Sequence, residues 1–320
     1  MGWIIGIDEA GYGPNLGPFV MSLVAFRVPE PLAAANLWGA LTAAVCRSGC
    51  KDDGRIVVDD SKAVYSSGGG LCALERGVLA TLWHRPAAAP AALRDLVDWL
   101  CPHGGGLPGE AGFKGDWALP AELAPDALPA AAATFGEACA AAAVERGLVR
   151  SDVVCAPRFN ALLDRYDSKG AVLAESMTAL LRAAVEQTPG DEPIWFLIDK
   201  HGGRNSYAAL IQHALPDGVV VAREEGMNRS AYRVVGLKRE VELTFQPRAD
   251  VEHFCVALAS MASKYLREAL MLEFNRFWKE HVPDLKPTAG YPGDAARFFR
   301  TIRPAMDKLG IAEAAVWRRK

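Results

Sequence analysis

Hydrophobic positions along the chain alternate between short unbroken runs and stripes at helical spacing. Residues 3–7 (WIIGI) form an apolar run that ends at two acids, Asp8 and Glu9. A Gly/Pro-rich turn from Gly11 to Pro18 follows, and then a long apolar stretch, 19–28 (FVMSLVAFRV). Strand, glycine loop and strand predict an antiparallel pair. Residues 31–47 read as helix, 55–58 (RIVV) as a brief strand, and 71–83 as helix from their apolar spacing. From about 85 to 135 Ala, Pro and Gly dominate, so that helix-favouring alanines are repeatedly interrupted. Short helices are expected there at 91–101 and 133–147. Residues 158–187 then predict a helix broken at Gly170. The runs 194–198 (IWFLI), closed by Asp199, and 218–222 (GVVVA) suit strands covered on both faces. Residues 231–236 and 240–246 alternate with period two, as a hairpin does, and 251–279 carry the longest helical pattern. The last 40 residues hold a Pro/Gly loop, one helix and a basic tail. Helices alternating with hydrophobic strands make the class α/β, and no internal repeat is visible.

At 320 residues the chain has room for about two domains, or one large domain with an insertion. With 51% hydrophobic and 23% charged residues it is neither wholly disordered, collagen-like nor a coiled-coil rod. Its 35 basic and 38 acidic residues give a net charge of −3, which excludes an overall basic nucleic-acid coat but leaves room for a local basic surface. Residues 297–320 hold seven basic side chains (Arg297, Arg300, Arg303, Lys308, Arg318, Arg319, Lys320) against two acids (Asp307, Glu313), a local balance of +5. That segment reads either as a lobe for a polyanion or as a charged surface helix with a frayed tail. The seven cysteines, an odd number in a chain too large to need staples, point to a reducing interior. Cys46 and Cys50 would share a helix face, but no second pair at metal spacing accompanies them, so buried or idle thiols are expected rather than zinc. The opening MGWIIGIDEAG has no basic segment and does not resemble a secretory leader. No run of about 20 apolar residues exists, so no membrane span is expected.

The chemistry lies in the carboxylates. Two acids directly after a buried run are costly unless a cation meets them or they turn to water. Asp199 repeats the pattern at the end of 194–198, at the strand edge where α/β sheets bind ligands. Glu268 sits on the long helix, on one face with Met261 and Lys264. Lys264–Glu268 reads equally as a solvated i,i+4 ion pair. Four carboxylates converging from two strand ends and a helix would repel one another and be stable around divalent metal. Their oxygens suit Mg²⁺ or Mn²⁺, and a two-metal cluster catalyses in-line phosphoryl displacement.

With these residues in view, GIDEAGYGPNLGPFVMSLVAF resembles the opening of ribonuclease HII, whose pattern is GIDEAGRGPxxGPVV followed by a strand. The likeness continues in order. Asp60-Ser61-Lys62 matches a D-S-K turn, and Arg158 with Asn160 weakly resembles a helix start. Phe196-Leu197-Ile198-Asp199 matches a strand ending in a catalytic Asp, and Arg248-Ala249-Asp250 stands where the family has K-G-D. Residues 259–264 (ASMASK) with Arg267-Glu268 resemble A-S-I-x-A-K-x-x-R-D. Gly290-Tyr291-Pro292 matches a G-Y-P turn, and Trp317-Arg318-Arg319 sits where the family ends H-R-R.

The resemblance covers 1–84 and 151–320. It implies an RNase H-like α/β domain over those segments, with a mixed central sheet flanked by helices and a C-terminal helical lobe at about 280–320. Residues 85–150 are then an Ala/Pro/Gly-rich insertion. It implies a cytoplasmic endoribonuclease using Mg²⁺ or Mn²⁺, as two ions, to cut the RNA strand of RNA/DNA hybrids or to cut 5′ to ribonucleotides in duplex DNA. No membrane and no obligate protein partner is implied. By position, Asp8, Glu9, Asp199 and Glu268 become the catalytic metal site. Gly11, Tyr12 and Gly13 become the loop that meets the ribose 2′-OH, the group that separates RNA from DNA. Ser61, Lys62, Lys264 and Tyr291 become further substrate contacts. The chain departs from the family at Tyr12 (Arg), Glu268 (Asp) and Gly293 (Thr), and Asp199 is followed by the basic loop Lys200-His201-Gly202-Gly203-Arg204, a phosphate contact or a solvated turn. These departures leave two alternatives: a nucleic-acid-binding protein with altered or lost chemistry, and a nuclease of DNA junctions.

Overall fold

The computed structural model describes residues 1–29, 37–50, 53–66, 70–82, 90–101, 107, 112–124 and 127–319. Strands β1 (Gly2–Ala10) and β2 (Phe19–Val28) pair antiparallel, as the two apolar runs predict. β1 is longer than its apolar run, so Asp8 and Glu9 lie inside the strand rather than after it. The segment read as a helix at 31–47 is mostly something else. Residues 30–36 lie outside the described residues, helix α1 spans only Leu37–Ala40, and Val45–Cys46 form strand β3, paired in parallel with β4 (Ile56–Val57). Cys46 and Cys50 are joined in a disulfide, and so are neither idle thiols nor half of a zinc site. The turn after β3 brings their Cα atoms to 6.4 Å, within disulfide reach.

Short helix α2 (Ser61–Val64) and helix α3 (Gly70–Leu82) follow. Helix α4 (Leu93–Leu100) forms where one is expected at 91–101. The helix expected at 133–147 instead runs earlier, as α5 (Ala127–Ala141), and the chain turns into strand β5 (Glu145–Val154). Pairing with β2 there overrides the helix preference of the alanines just before it. Helices α6 (Ala156–Tyr166) and α7 (Lys169–Gln187) break at Asp167, which is left-handed, and Gly170 lies inside α7. Strand β6 (Ile194–Asp199), helix α8 (Ala208–Ala214), and strands β7 (Val219–Glu225), β8 (Ser230–Val235) and β9 (Val241–Gln246) complete the sheet. The run at 219–222 is exposed, not covered, because β7 is the edge strand. Helices α9 (Ala249–Glu252), α10 (Phe254–His281), α11 (Pro292–Leu309) and α12 (Glu313–Val316) close the chain.

The seven-stranded sheet has the order β5-β2-β1-β6-β9-β8-β7. β1, β6 and β9 run parallel at its centre, and antiparallel pairs flank them. Alternation along the strands sorts side chains onto two cores. Trp3, Ile5 and Ile7 join Ile194, Phe196 and Ile198 beneath α7 and α8, whereas Ile4, Val20 and Val24 face α10. Helix α10 sits directly on β1 because residue 6 is glycine: a Cβ there would lie 2.2 Å from the Cys255 carbonyl carbon. Ser263 Oγ donates to the Asp8 carbonyl (3.0 Å), fixing the helix in register with the acidic end of the strand. Two buried glutamates hold the irregular segment after α4. Glu75 accepts the amides of Ala121, Glu122 and Leu123 and the hydroxyl of Tyr265, and Glu273 accepts those of Gly115 and Asp116. The result is an α/β fold with a mixed central sheet flanked by helices and followed by a C-terminal helical lobe, as expected from the sequence. Among the described residues no helix is long and apolar enough to cross a membrane.

Candidate active site

The parallel pairing of β1 with β6 runs through Ile7 opposite Ile198, so the next rung carries Asp8 and Asp199 on neighbouring strands. By strand alternation both face α10, and Glu9 faces the opposite way. Helix α10 brings Lys264, Arg267 and Glu268 to the same place. One cavity of about 500 Å³ is lined by Asp8, Glu9, Asp199 and Glu268, together with Gly11, Tyr12, Ser61, Lys62, Lys264 and Tyr291. Gly13 does not line it but lies against the Tyr291 ring, 4.0 Å from the position of a Cβ.

The acids are crowded, with Asp8 buried and Glu9 and Asp199 partly so. Burial first, then Glu9 and Asp199, hold the Asp8 carboxyl well above its usual range, and a hydrogen bond from Ser260 only partly offsets this. Burial and then Asp199 push Glu9 up to about 7. Asp199 is raised by burial too, restrained by backbone amides of Ala249 and Arg248 and by Lys62. Asp199 Oδ1 accepts the Ala249 amide at 2.8 Å, which anchors that carboxylate on the first turn of α9. Glu268 differs from these three: its Oε1 lies 3.4 Å from Arg267 Nη1 and 3.5 Å from Lys264 Nζ. The i,i+4 pair read from the sequence therefore exists, but inside the cavity.

The substrate side is built by glycines and the C-terminal tail. Gly11 has φ +81°, and a Cβ on it would fall 2.4 Å from Arg267 Nε and 2.7 Å from the Pro18 carbonyl oxygen, so only glycine fits. Gly290 docks its carbonyl onto the amides of Asn15 and Leu16, seating the turn that carries the half-exposed Tyr291 beside the glycine loop. Buried Arg318 donates from Nη2 to the carbonyls of Gly11 (2.8 Å) and Pro14, and Asn160 ties down the tail through the carbonyls of Ala314 and Trp317. Arg318 is thus a clamp inside the protein. Arg297, Arg303 and Arg319 pair with Asp294, Glu313 and Asp164, so much of the basic excess near the C-terminus is met within the fold. Lys320 lies outside the described residues.

Several lining residues were read only as motif positions or not singled out. Asp60, Arg248, Asp250, Arg267 and Ser260 all line the cavity. Burial, Asp60 and Asp199 push Asp250 up to about 6. The D-S-K and R-A-D triplets were the signals that could have found the two aspartates. Ser61 is buried, with its hydroxyl accepting from Ser260 at 3.0 Å. In the loop after Asp199, Lys200 turns inward to Asn205 Oδ1 (3.0 Å) and the Gly226 carbonyl, so it is not a free phosphate contact. His201 is buried with Nε2 3.9 Å from Glu9 Oε2, and burial followed by Arg204 lowers its imidazole to about 4, so it is neutral.

No family model and no curated protein sequence matches the chain. Solved structures do resemble it. Ribonuclease H2 from Pyrococcus horikoshii is 15% identical with a TM-score of 0.44, over 98% of this chain and 92% of that one. The PCNA:RNase HII complex from Archaeoglobus fulgidus matches at 14% identity and a TM-score of 0.44, over 99% and 94%. Bst-RNase HIII in complex with Mn²⁺ matches at 16% and 0.45, over 99% of this chain and 66% of that one.

Among the described residues no three Asp, Glu, His or Cys side chains are grouped closely enough, as they stand, to hold one ion. The donor chemistry nevertheless fits a hard cation. Glu9 Oε2 is buried and receives no hydrogen bond among the described residues, Asp199 raises both Asp8 and Glu9, and Glu9 in turn raises Asp8. Oxygen donors short of positive charge are what Mg²⁺ and Mn²⁺ bind.

Proposed function

We propose that this chain is a metal-dependent endoribonuclease that cuts the RNA strand of RNA/DNA hybrids or cuts 5′ to a ribonucleotide embedded in duplex DNA, in the cytoplasm. The single observation that carries this reading is the convergence of Asp8, Glu9, Asp199 and Glu268 on one cavity, in which Asp199 raises both Asp8 and Glu9. Two Mg²⁺ or Mn²⁺ ions held by these four carboxylates would supply charge neutralisation at the phosphodiester and an acidified water. The chain's own residues do the rest. Asp8 and Asp199 are fixed by the strand register and by the Ala249 amide. The Gly11–Gly13 loop brings bare backbone close enough to meet a ribose 2′-hydroxyl, and Tyr291 packs at its side. Lys62 and Lys264 place positive charge where a phosphate backbone would run.

The test is one assay with three duplexes: all-DNA, RNA/DNA hybrid, and DNA with one ribonucleotide. Nicking of the last two in Mg²⁺ or Mn²⁺, none in EDTA, is expected. Asp8→Asn and Asp199→Asn should each lower the rate about 10³-fold, from lost charge stabilisation, without lowering the melting temperature. Wild-type rates in both variants would overturn the assignment. The second reading, binding without cleavage, draws on the engagement of Glu268 by Lys264 and Arg267. It predicts tight hybrid binding and no nick in either metal. Cutting of all-DNA substrates at the same rate would instead point to a junction nuclease.

A further inference from the structure

A second cavity, of about 730 Å³, adjoins the acidic one, and Tyr12 belongs to the walls of both. Its lining combines two chemistries. The N-terminus of α7 contributes Ser168, Gly170 and Ala171, and no side chain caps that 19-residue helix. First-turn amides of such a helix favour an anion. Lys169 holds its ammonium 4.7 Å from the Tyr12 ring centroid, and exposed Arg204 also lines the cavity. Leu173, Leu210 and Tyr166 add an aliphatic and aromatic part of the wall. The lining carboxylate Glu175 accepts the Tyr166 hydroxyl at 2.6 Å. His201 lines this cavity from beneath, is 8% exposed, and its Nδ1 has no hydrogen-bond partner among the described residues. A buried polar atom without a partner in a pocket wall needs one, from water or from a ligand.

An anion-favouring helix start, an aromatic and aliphatic wall and a lone polar atom in one cavity suit a nucleotide. We infer that this cavity is a nucleotide subsite, which takes one nucleotide of the strand being cut, displaced from the stack, with its phosphate at the first turn of α7 and its base between Leu173, Leu210 and Tyr166. Continuity through Tyr12 is what assigns the occupant to the same strand that enters the acidic cavity. The inference rests on the nuclease reading above. An apolar wall of this kind favours a base already weakly paired in the duplex, which costs least to displace.

The experiment uses the full chain in EDTA, so that nothing is cut, and duplexes with one ribonucleotide and 2-aminopurine placed at each position in turn. Emission should rise several-fold at one position only, next to the ribonucleotide. Ala174→Trp, which fills space at the apolar wall, should abolish that rise. Arg204→Glu, at an exposed position and harmless to folding, should weaken binding about tenfold. Flat emission at every position, a rise that persists in Ala174→Trp, or undiminished affinity in Arg204→Glu would each overturn the subsite. Should Ala174→Trp fail to fold, the position scan and Arg204→Glu still decide. Nicking in Mn²⁺ on the same duplexes separates the two ideas. A protein that nicks but gives flat emission has lost the subsite and kept the nuclease, and one that never nicks has lost the nuclease.

Discussion

At the residue scale the site is defined by what its carboxyl groups lack. Glu9 is pushed up to about 7 by burial and by Asp199, Asp250 to about 6, and Asp8 well above its usual range. A carboxyl raised on folding favours the folded state in its protonated form. That contribution is complete below the unfolded values, near 4, and is lost as pH rises through about 7. The metal-free protein should therefore melt at a progressively lower temperature as pH rises from about 5 to 8. Mg²⁺ or Mn²⁺ should restore more of the loss at the upper end, because a cation binds the deprotonated form. Thermal scans with and without metal at each pH check this. A flat profile, or a metal effect equal at both ends, would speak against a shared cation site. Asp8, Glu9 and Asp199 were legible because they close apolar runs, whereas Asp250 closes none. That β1 runs on through Asp8 and Glu9, and that the Lys264–Glu268 pair lies inside a cavity, depends on tertiary packing that no local pattern encodes.

At the element scale, the parts that hold the site are those whose sequence pattern is least ambiguous. β1, β2 and β6 carry apolar runs and α10 a helical stripe, and each forms where these predict, with β1 running on through Asp8 and Glu9. The misreadings share a cause. At 31–47 and 133–147 alanines suggested helix, yet Val45–Cys46 and Glu145–Val154 are strands because partner strands outside those segments, β4 and β2, supply the hydrogen bonds. Nor did the pattern hint that Glu75, on α3, would be fully buried. Its carboxylate satisfies three consecutive amides at 2.5–2.9 Å and the Tyr265 hydroxyl at 2.6 Å, tying residues 121–123 to α3 and α10. Glu75→Ala leaves those donors buried and unmet, and should cost about 3–5 kcal/mol in urea denaturation. A loss below about 1 kcal/mol would mean that water takes the place of the carboxylate.

For the whole molecule, the acidic cavity lies where three distant parts of the chain meet: the end of β1, the end of β6 and the middle of α10. The glycine loop beside it is held by the C-terminal tail through Arg318 and by the turn at Gly290. This geometry makes the site a property of the complete fold. The measurement that tests it most directly is anomalous scattering from a crystal soaked in Mn²⁺. A manganese peak among the carboxylates of Asp8, Glu9 and Asp199, lost in Asp8→Asn, is the predicted result. Manganese bound elsewhere with that pocket vacant, or a peak unaffected by Asp8→Asn, would contradict the claim that these acids are gathered to hold a catalytic cation.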